Sequence, residues 1–180
     1  TVSHLVPRKG ADMVIKALPK ILKNIPNLTY LIGGRGDYLD TLKRLVNELN
    51  LEPHVIFLGF VKDEEMNDLF NACDIFIMPN RQEDYDVEGF GIVFADAAAC
   101  AKPTIAGNSG GAVDAIADNK TGFLVDPLSV NDIAKKCITL LSDDELRKRF
   151  GQNGYKRVLS ELNWDSVRKK IFEQLSNLDG

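Results

Sequence analysis

The chain has 180 residues, enough for one well-cored domain, and its 22 Lys and Arg against 26 Asp and Glu leave a net charge of −4. That mild acidity, without a basic block to track a phosphate backbone, excludes nucleic acid as the expected partner. No apolar run reaches the roughly 18 residues that cross a bilayer, and the opening TVSHLVPRKG has neither region of a signal peptide, so a cytoplasmic chain is expected.

In chain order, short Val-, Ile- and Phe-rich runs alternate with longer segments of helical period, the pattern of βαβ units around a parallel sheet. The runs predict six strands, at Val2–Val6, Leu28–Gly33, Val55–Leu58, Ile75–Met78, Pro103–Ala106 and Gly122–Val125. The first begins with almost no lead-in, which suggests a domain cut from something longer. Ala11–Lys23 carries Met13, Val14, Ala17, Leu18 and Ile21 on one stripe, with Lys16, Lys20 and Lys23 outside it, and predicts a helix. Helices follow at Tyr38–Asn50 and at Asp63–Ala72, whose acidic first turn suits the helix dipole. Another starts near Ile92, and Gly110 and Gly111 open a short one. From Ser129 onward three helical patterns, Val130–Leu141, Asp143–Leu159 and Trp164–Leu178, come with no further strand. The expected architecture is α/β, a Rossmann-like, doubly wound parallel sheet of six strands with helices on both faces and added C-terminal helices. Cys73, Cys100 and Cys137 are odd in number and far apart in sequence, so they read as reduced buried thiols.

The longest stretch without period is Pro79–Gly91, PNRQEDYDVEGFG, after a strand, on the sheet edge where open parallel sheets bind ligands. Other turns reach the same edge. IGGRGD at Ile32–Asp37 joins a strand to a helix, so Gly33 and Gly34 allow close backbone approach to a ligand. Its spacing is neither the dinucleotide fingerprint nor a P-loop. VPRKGAD places Arg8 and Lys9 before a helix N-terminus, where cations oppose the dipole; a bound anion such as a diphosphate, or solvent, compensates. In VEGFGIVFAD, the backbone N–H groups of Gly91, Ile92 and Val93 converge at a helix start, flanked by Glu88 and Asp96. At about 1.5 Å of rise per helical residue, the two acids stand too far apart to share a proton. They read either as separate clamps for an extended polyol or as plain dipole partners.

These motifs, in this order, resemble the C-terminal, nucleotide-sugar-binding domain of retaining GT-B glycosyltransferases of family four. LVPRKGAD is similar to the family's first loop, and EGFGIVFADAAACAKPTIAGNSGGAVDAI to its signature region. The resemblance covers nearly all of residues 1–180 as one donor-binding domain. It implies hexosyl transfer from a nucleotide-diphosphate sugar with retention of configuration, with Lys9 and Glu88 as the catalytic pair. Lys9 would meet the diphosphate and Glu88 the donor sugar hydroxyls, with Asp96 on the ribose. Gly89, Phe90, Gly91, Ile92 and Val93 would line the sugar and diphosphate, and Gly33, Gly34, Arg35 and Val61 the base. His4 and Arg8 stand at the diphosphate, with His4 where the family often has arginine, a poorer clamp. Asp96 is one methylene shorter than the family's second Glu, and Asp114 likewise replaces a Glu. The resemblance further implies no cofactor or metal, and an acceptor glycan or lipid held by an N-terminal domain absent here, at a cytoplasmic membrane face. The isolated domain is then expected to be inactive. GDP-mannose is favoured slightly over a UDP-hexose. Two rivals remain: a sugar-nucleotide 2-epimerase, which should lack the Glu-x7-Asp segment, and a flavodoxin-like binding module, which needs acids after its first strand where this chain has Pro7-Arg8-Lys9.

Overall fold

The computed structural model describes residues 1–163 together with Ser166 and Arg168. All but those two residues of the expected last helix, Trp164–Leu178, lie outside the described residues. Among the described residues five parallel strands form: β1 (Tyr30–Gly33), β2 (Val55–Gly59), β3 (Phe76–Met78), β4 (Thr104–Gly107) and β5 (Gly122–Val125). Between and after them come α1 (Ala11–Leu22), α2 (Leu39–Glu48), α3 (Asp63–Ala72), α4 (Ile92–Ala99), α5 (Ala112–Ala115), α6 (Val130–Ser142) and α7 (Asp144–Ser160). Every crossover between paired strands runs through helix, which is why the pairing is parallel.

The expected six-stranded sheet is not what forms. Strands β1 and β2 pair with each other, and β3, β4 and β5 pair in that order as a separate ladder. Val2–Val6 makes one bridge and then bends, with the Val6 amide donating to the His4 carbonyl, and is not a full strand. Val2 bridges Gly33, and the Ser3 and Leu5 amides donate to the Gly33 and Arg35 carbonyls. The register explains the difference. Val2 stands opposite the last residue of β1, so the segment runs beside the loop beyond that strand, and Pro7 then turns the chain into a 3₁₀ turn, Pro7–Lys9.

Burial on both sheet faces follows from strand alternation. In β3, Phe76 and Met78 join one apolar cluster and Ile77 the other; in β4, Ile105 and Ala106 divide in the same way. The larger cluster lies under α1 and α6, which pack on each other, and holds Ile15, Leu18, Ile133 and Leu140. The second is an edge-to-face ladder of Phe70, Phe76 and Phe94, with centroids 5.6 and 5.8 Å apart, covered by α3 and α4. Burying each such ring contributes roughly 1.5–3 kcal/mol. Helix α7 packs on α4 and closes that face. Ser129 and Asp143 cap α6 and α7 by accepting from Asp132 and Leu146 amides. Of the cysteines, only Cys137 is fully buried, and desolvation pushes its thiol up to about 12; Cys73 and Cys100 are half-buried free thiols at helix ends, where fewer neighbours cover them.

Candidate functional site

The turns at the C-terminal ends of the strands do not merely face one another; they are in contact. Gly10, at φ 76° between the 3₁₀ turn and α1, lies so close to Pro79 that a Cβ there would stand 2.1 Å from the Pro79 carbonyl oxygen. Added Cβ atoms on Gly107 and Gly111 would come nearer still, 1.8 and 1.5 Å from the carbonyl oxygens of Asn80 and Gly89. Asn80 is fully buried and locks this junction, donating to the Ser109 carbonyl and accepting from the Gly107 amide. The Gly111 amide donates to the Glu88 carbonyl, so the start of α5 holds the Glu88 turn from behind.

Glu88 is the buried acid of this crevice, at 9% exposure. One of its oxygens, Oε2, accepts from Lys9 Nζ at 2.5 Å and from Arg8 Nη1 at 2.9 Å. The two cations that the helix dipole disfavours are thus both compensated by a carboxylate from the loop after β3. Arg8 Nε also lies 2.9 Å from the exposed Asp86 carboxylate, without the alignment of a hydrogen bond. Asp86 closes a tight turn in which it and Glu83 exchange backbone bonds, with Tyr85 fully exposed at the tip.

Gly91 begins α4 in the left-handed region, at φ 75°, with its Cα against the Phe94 ring and a site too tight for a Cβ. Phe90 is half-buried on the aromatic cluster. Ile92 is 71% exposed although large and apolar, and Val93 is half-buried beside it. Asp96 lies one turn on from Ile92, on the same exposed stripe. Partial desolvation raises its carboxyl above the ordinary Asp value. Glu88 and Asp96 therefore differ in setting: one is buried and ion-paired, the other open to solvent.

A second group gathers where β1 and β2 end. The Gly34 amide donates to the Gly59 carbonyl at 2.7 Å, Gly33 abuts Val61, and the Arg35 guanidinium stacks on Phe60, 5.0 Å from the ring centroid. Phe60 is 58% exposed, so this stack is an open platform. His4 is exposed on the segment between the two groups. The structure therefore unites Arg8, Lys9 and Glu88 in one cluster and Gly33, Gly34, Arg35 and Val61 in another.

Sequence reading missed Asp12, Asn80, Arg81 and Asp86. Asp12 is a buried acid among the apolar residues of α1 and bonds Arg81 at 2.8 Å. The available signal was a lone acid inside the otherwise apolar run Ala11–Ile15, every residue of which is buried. A cavity of about 440 Å³ is lined by Leu28, Tyr30, Phe76 and Cys137. It opens where β1 and β3 begin, at the far end of the sheet from these side chains, and belongs to neither cluster. No group of three or more His, Cys, Asp and Glu with metal-holding geometry occurs among the described residues. None of the described helices is long and apolar enough to cross a membrane.

The chain is similar to known proteins in sequence and in fold. The family model for glycosyl transferases group 1 matches residues 1–157. A GDP-mannose-dependent alpha-(1-6)-phosphatidylinositol monomannoside mannosyltransferase of Mycobacterium tuberculosis is 39% identical over 99% of this chain and 47% of its own length. A D-inositol 3-phosphate glycosyltransferase of Corynebacterium glutamicum is 34% identical over 94% of this chain and 41% of its own length. The chain spans about half the length of these curated relatives. Among solved structures, HepE of Anabaena, crystallised with UDP and glucose, superposes with a TM-score of 0.84 at 28% identity, over 98% of this chain and 47% of that one. The C-terminal domain of LpcC, a glycosyl transferase group 1 family protein of Francisella tularensis, superposes with a TM-score of 0.79 at 30% identity, over 89% of this chain and 83% of that one. With a family match across most of its length and a fold shared with an isolated C-terminal domain, the chain belongs to the group 1 glycosyl transferases, as the C-terminal half of their GT-B fold.

Proposed function

We propose that this chain is the donor-binding half of a retaining hexosyltransferase, that its donor is GDP-mannose, and that Arg8 and Lys9 receive the donor diphosphate. The observation that carries the reading is the meeting of Lys9 and Arg8 on one oxygen of Glu88, beside the glycine-initiated helix α4. Two cations held on a buried carboxylate form a ready anion site, and a diphosphate, with more charge and more acceptor oxygens, competes for them.

As the glycosidic bond to the diphosphate breaks, negative charge grows on the β-phosphate. Lys9, Arg8 and the α4 amides of Ile92 and Val93 stabilise that charge more in the transition state than in the ground state. Glu88, released from its cations, turns to the sugar hydroxyls, and Asp96, on the open stripe, takes the ribose. The base lies on the Arg35 and Phe60 platform beside Gly33, Gly34 and Val61. Two cations suffice for the diphosphate, so the reading includes no metal or cofactor. Support for GDP-mannose comes from the mannosyltransferases that resemble the chain. Their acceptors are phosphatidylinositol mannosides, so the acceptor proposed here is a lipid-linked glycan, held by a second domain at a cytoplasmic membrane face.

Titration calorimetry with GDP, UDP and ADP tests the reading. GDP should bind the chain most tightly, and the chain alone should transfer no sugar. Absence of binding by all three would overturn the site, and a preference for UDP would overturn the donor while leaving the site intact.

A further inference from the structure

One charged pair close to the cations faces the loop and the helix, not the crevice. Asp12 and Arg81 side chains are only 6% and 11% exposed and meet at 2.8 Å, although they stand on α1 and on the loop after β3. Each has a second partner. Lys16 reaches the other Asp12 oxygen at 3.3 Å, and Arg81 Nε bonds Glu83 at 2.5 Å. Burial works against the Arg81 charge, but its bonds to Asp12 and Glu83 outweigh that effect and its pKa is raised. The backbone joins the same two segments: the Arg81 amide donates to the Arg8 carbonyl at 2.8 Å, and Gly10 is pressed against Pro79.

A largely buried ion pair adds little net stability, because desolvating both ions offsets their attraction; in some proteins such a pair instead selects one arrangement of the elements that carry it. Here one element carries Arg8 and Lys9 just before α1, and the other carries Glu88 seven residues beyond Arg81. We infer that Asp12 and Arg81 are a positioning pair, which sets the Arg8 and Lys9 cations in register with the Glu88 loop without itself touching ligand. The inference rests on the reading that Arg8 and Lys9 receive a diphosphate.

Calorimetric GDP titrations and melting curves on the 180-residue chain and its variants test it. Wild-type binding comes first, and its absence defeats the underlying reading, not the pair. Given binding, Asp12→Asn and Arg81→Gln should each weaken GDP about tenfold, and the double variant no more than either single one, because they act as a unit. Arg81→Lys keeps the charge but loses the two-pronged fork, and should weaken GDP about threefold. If Arg81→Gln does not fold, Asp12→Asn and Arg81→Lys decide. Lower melting temperatures with unchanged GDP affinity would reduce the pair to a structural tie and overturn the proposal. A loss from Arg81→Gln with none from Asp12→Asn would mean that Arg81 contacts the nucleotide directly, and would also overturn it.

Discussion

After β1 the chain runs through Gly33, Gly34, Arg35 and Gly36 along the backbone of Ser3–Leu5, closer than a side chain permits. A Cβ on Gly34 would lie 1.8 Å from the Ser3 carbonyl oxygen, and Gly34 itself sits at φ 131°. After β3 the chain reaches the same crevice through Glu88, Gly89, Phe90 and Gly91, yet a Cβ on Gly89 would meet nothing within 4 Å. Where the first loop is shaped by backbone pressed against its own glycines, the second is held from behind by Gly110 and Gly111, leaves Gly89 open, and is anchored by charge, with Glu88 drawn onto Lys9 and Arg8. Glycine-rich turns at one sheet edge thus have different causes, and substitution separates them.

The largest effect belongs to Gly34→Ala. Its backbone angle is one that L residues avoid, at a cost of about 1–3 kcal/mol, and the collision with Ser3 adds about 1–3 kcal/mol of overpacking. Together these predict a loss of about 2–6 kcal/mol, or about 10 °C in melting temperature for a chain of this size. Thermal unfolding followed by circular dichroism checks it, and a shift of a degree or two would mean that the first loop is looser than its backbone contacts imply.

Where the second loop meets its cations, the effects fall on binding, with opposite signs. Lys9→Ala removes the nearer cation and leaves a buried carboxylate with Arg8 alone. GDP affinity should fall about 100-fold, equivalent to about 2.7 kcal/mol. Glu88→Gln removes the carboxylate that competes with the diphosphate, so GDP should bind about threefold more tightly, about 0.7 kcal/mol. In a full-length enzyme the same change should slow sugar transfer, since Gln cannot replace a charged hydroxyl acceptor. Equal losses of GDP affinity in both variants would show that Glu88 supports the nucleotide site instead of competing for it.

Much of this organisation was written in local pattern. Asp63–Ala72 and Gly122–Val125 form over the very residues that periodicity and turn residues mark, because apolar stripe and end signals coincide there. The first strand was misread because Thr1–Val6 has strand composition, while strand formation depends on which residues stand opposite, here the loop beyond β1. At the site, the residue types at the sheet edge were legible but their partners were not. Glu88 meets cations 79 and 80 positions away, and Arg81 meets an acid 69 positions away. No local spacing encodes such pairs; they exist only once α1 and the loop after β3 are packed together.

The smallest expected effect on stability is the most informative about the comparison. Gly89 has no positive φ and open space where a methyl group would go, and its own carbonyl, not its Cα, is what Gly111 packs against. Gly89→Ala should therefore change stability by less than about 0.5 kcal/mol, since a slight gain from a stiffer unfolded chain offsets any strain. The melting temperature should move by no more than about 2 °C. If GDP or GDP-mannose affinity nevertheless falls, the missing side chain at Gly89 serves the approach of the ligand, because the fold has no use for its absence. A destabilisation as large as that of Gly34→Ala would instead place both loops under the same backbone constraint, and the distinction between them would not stand.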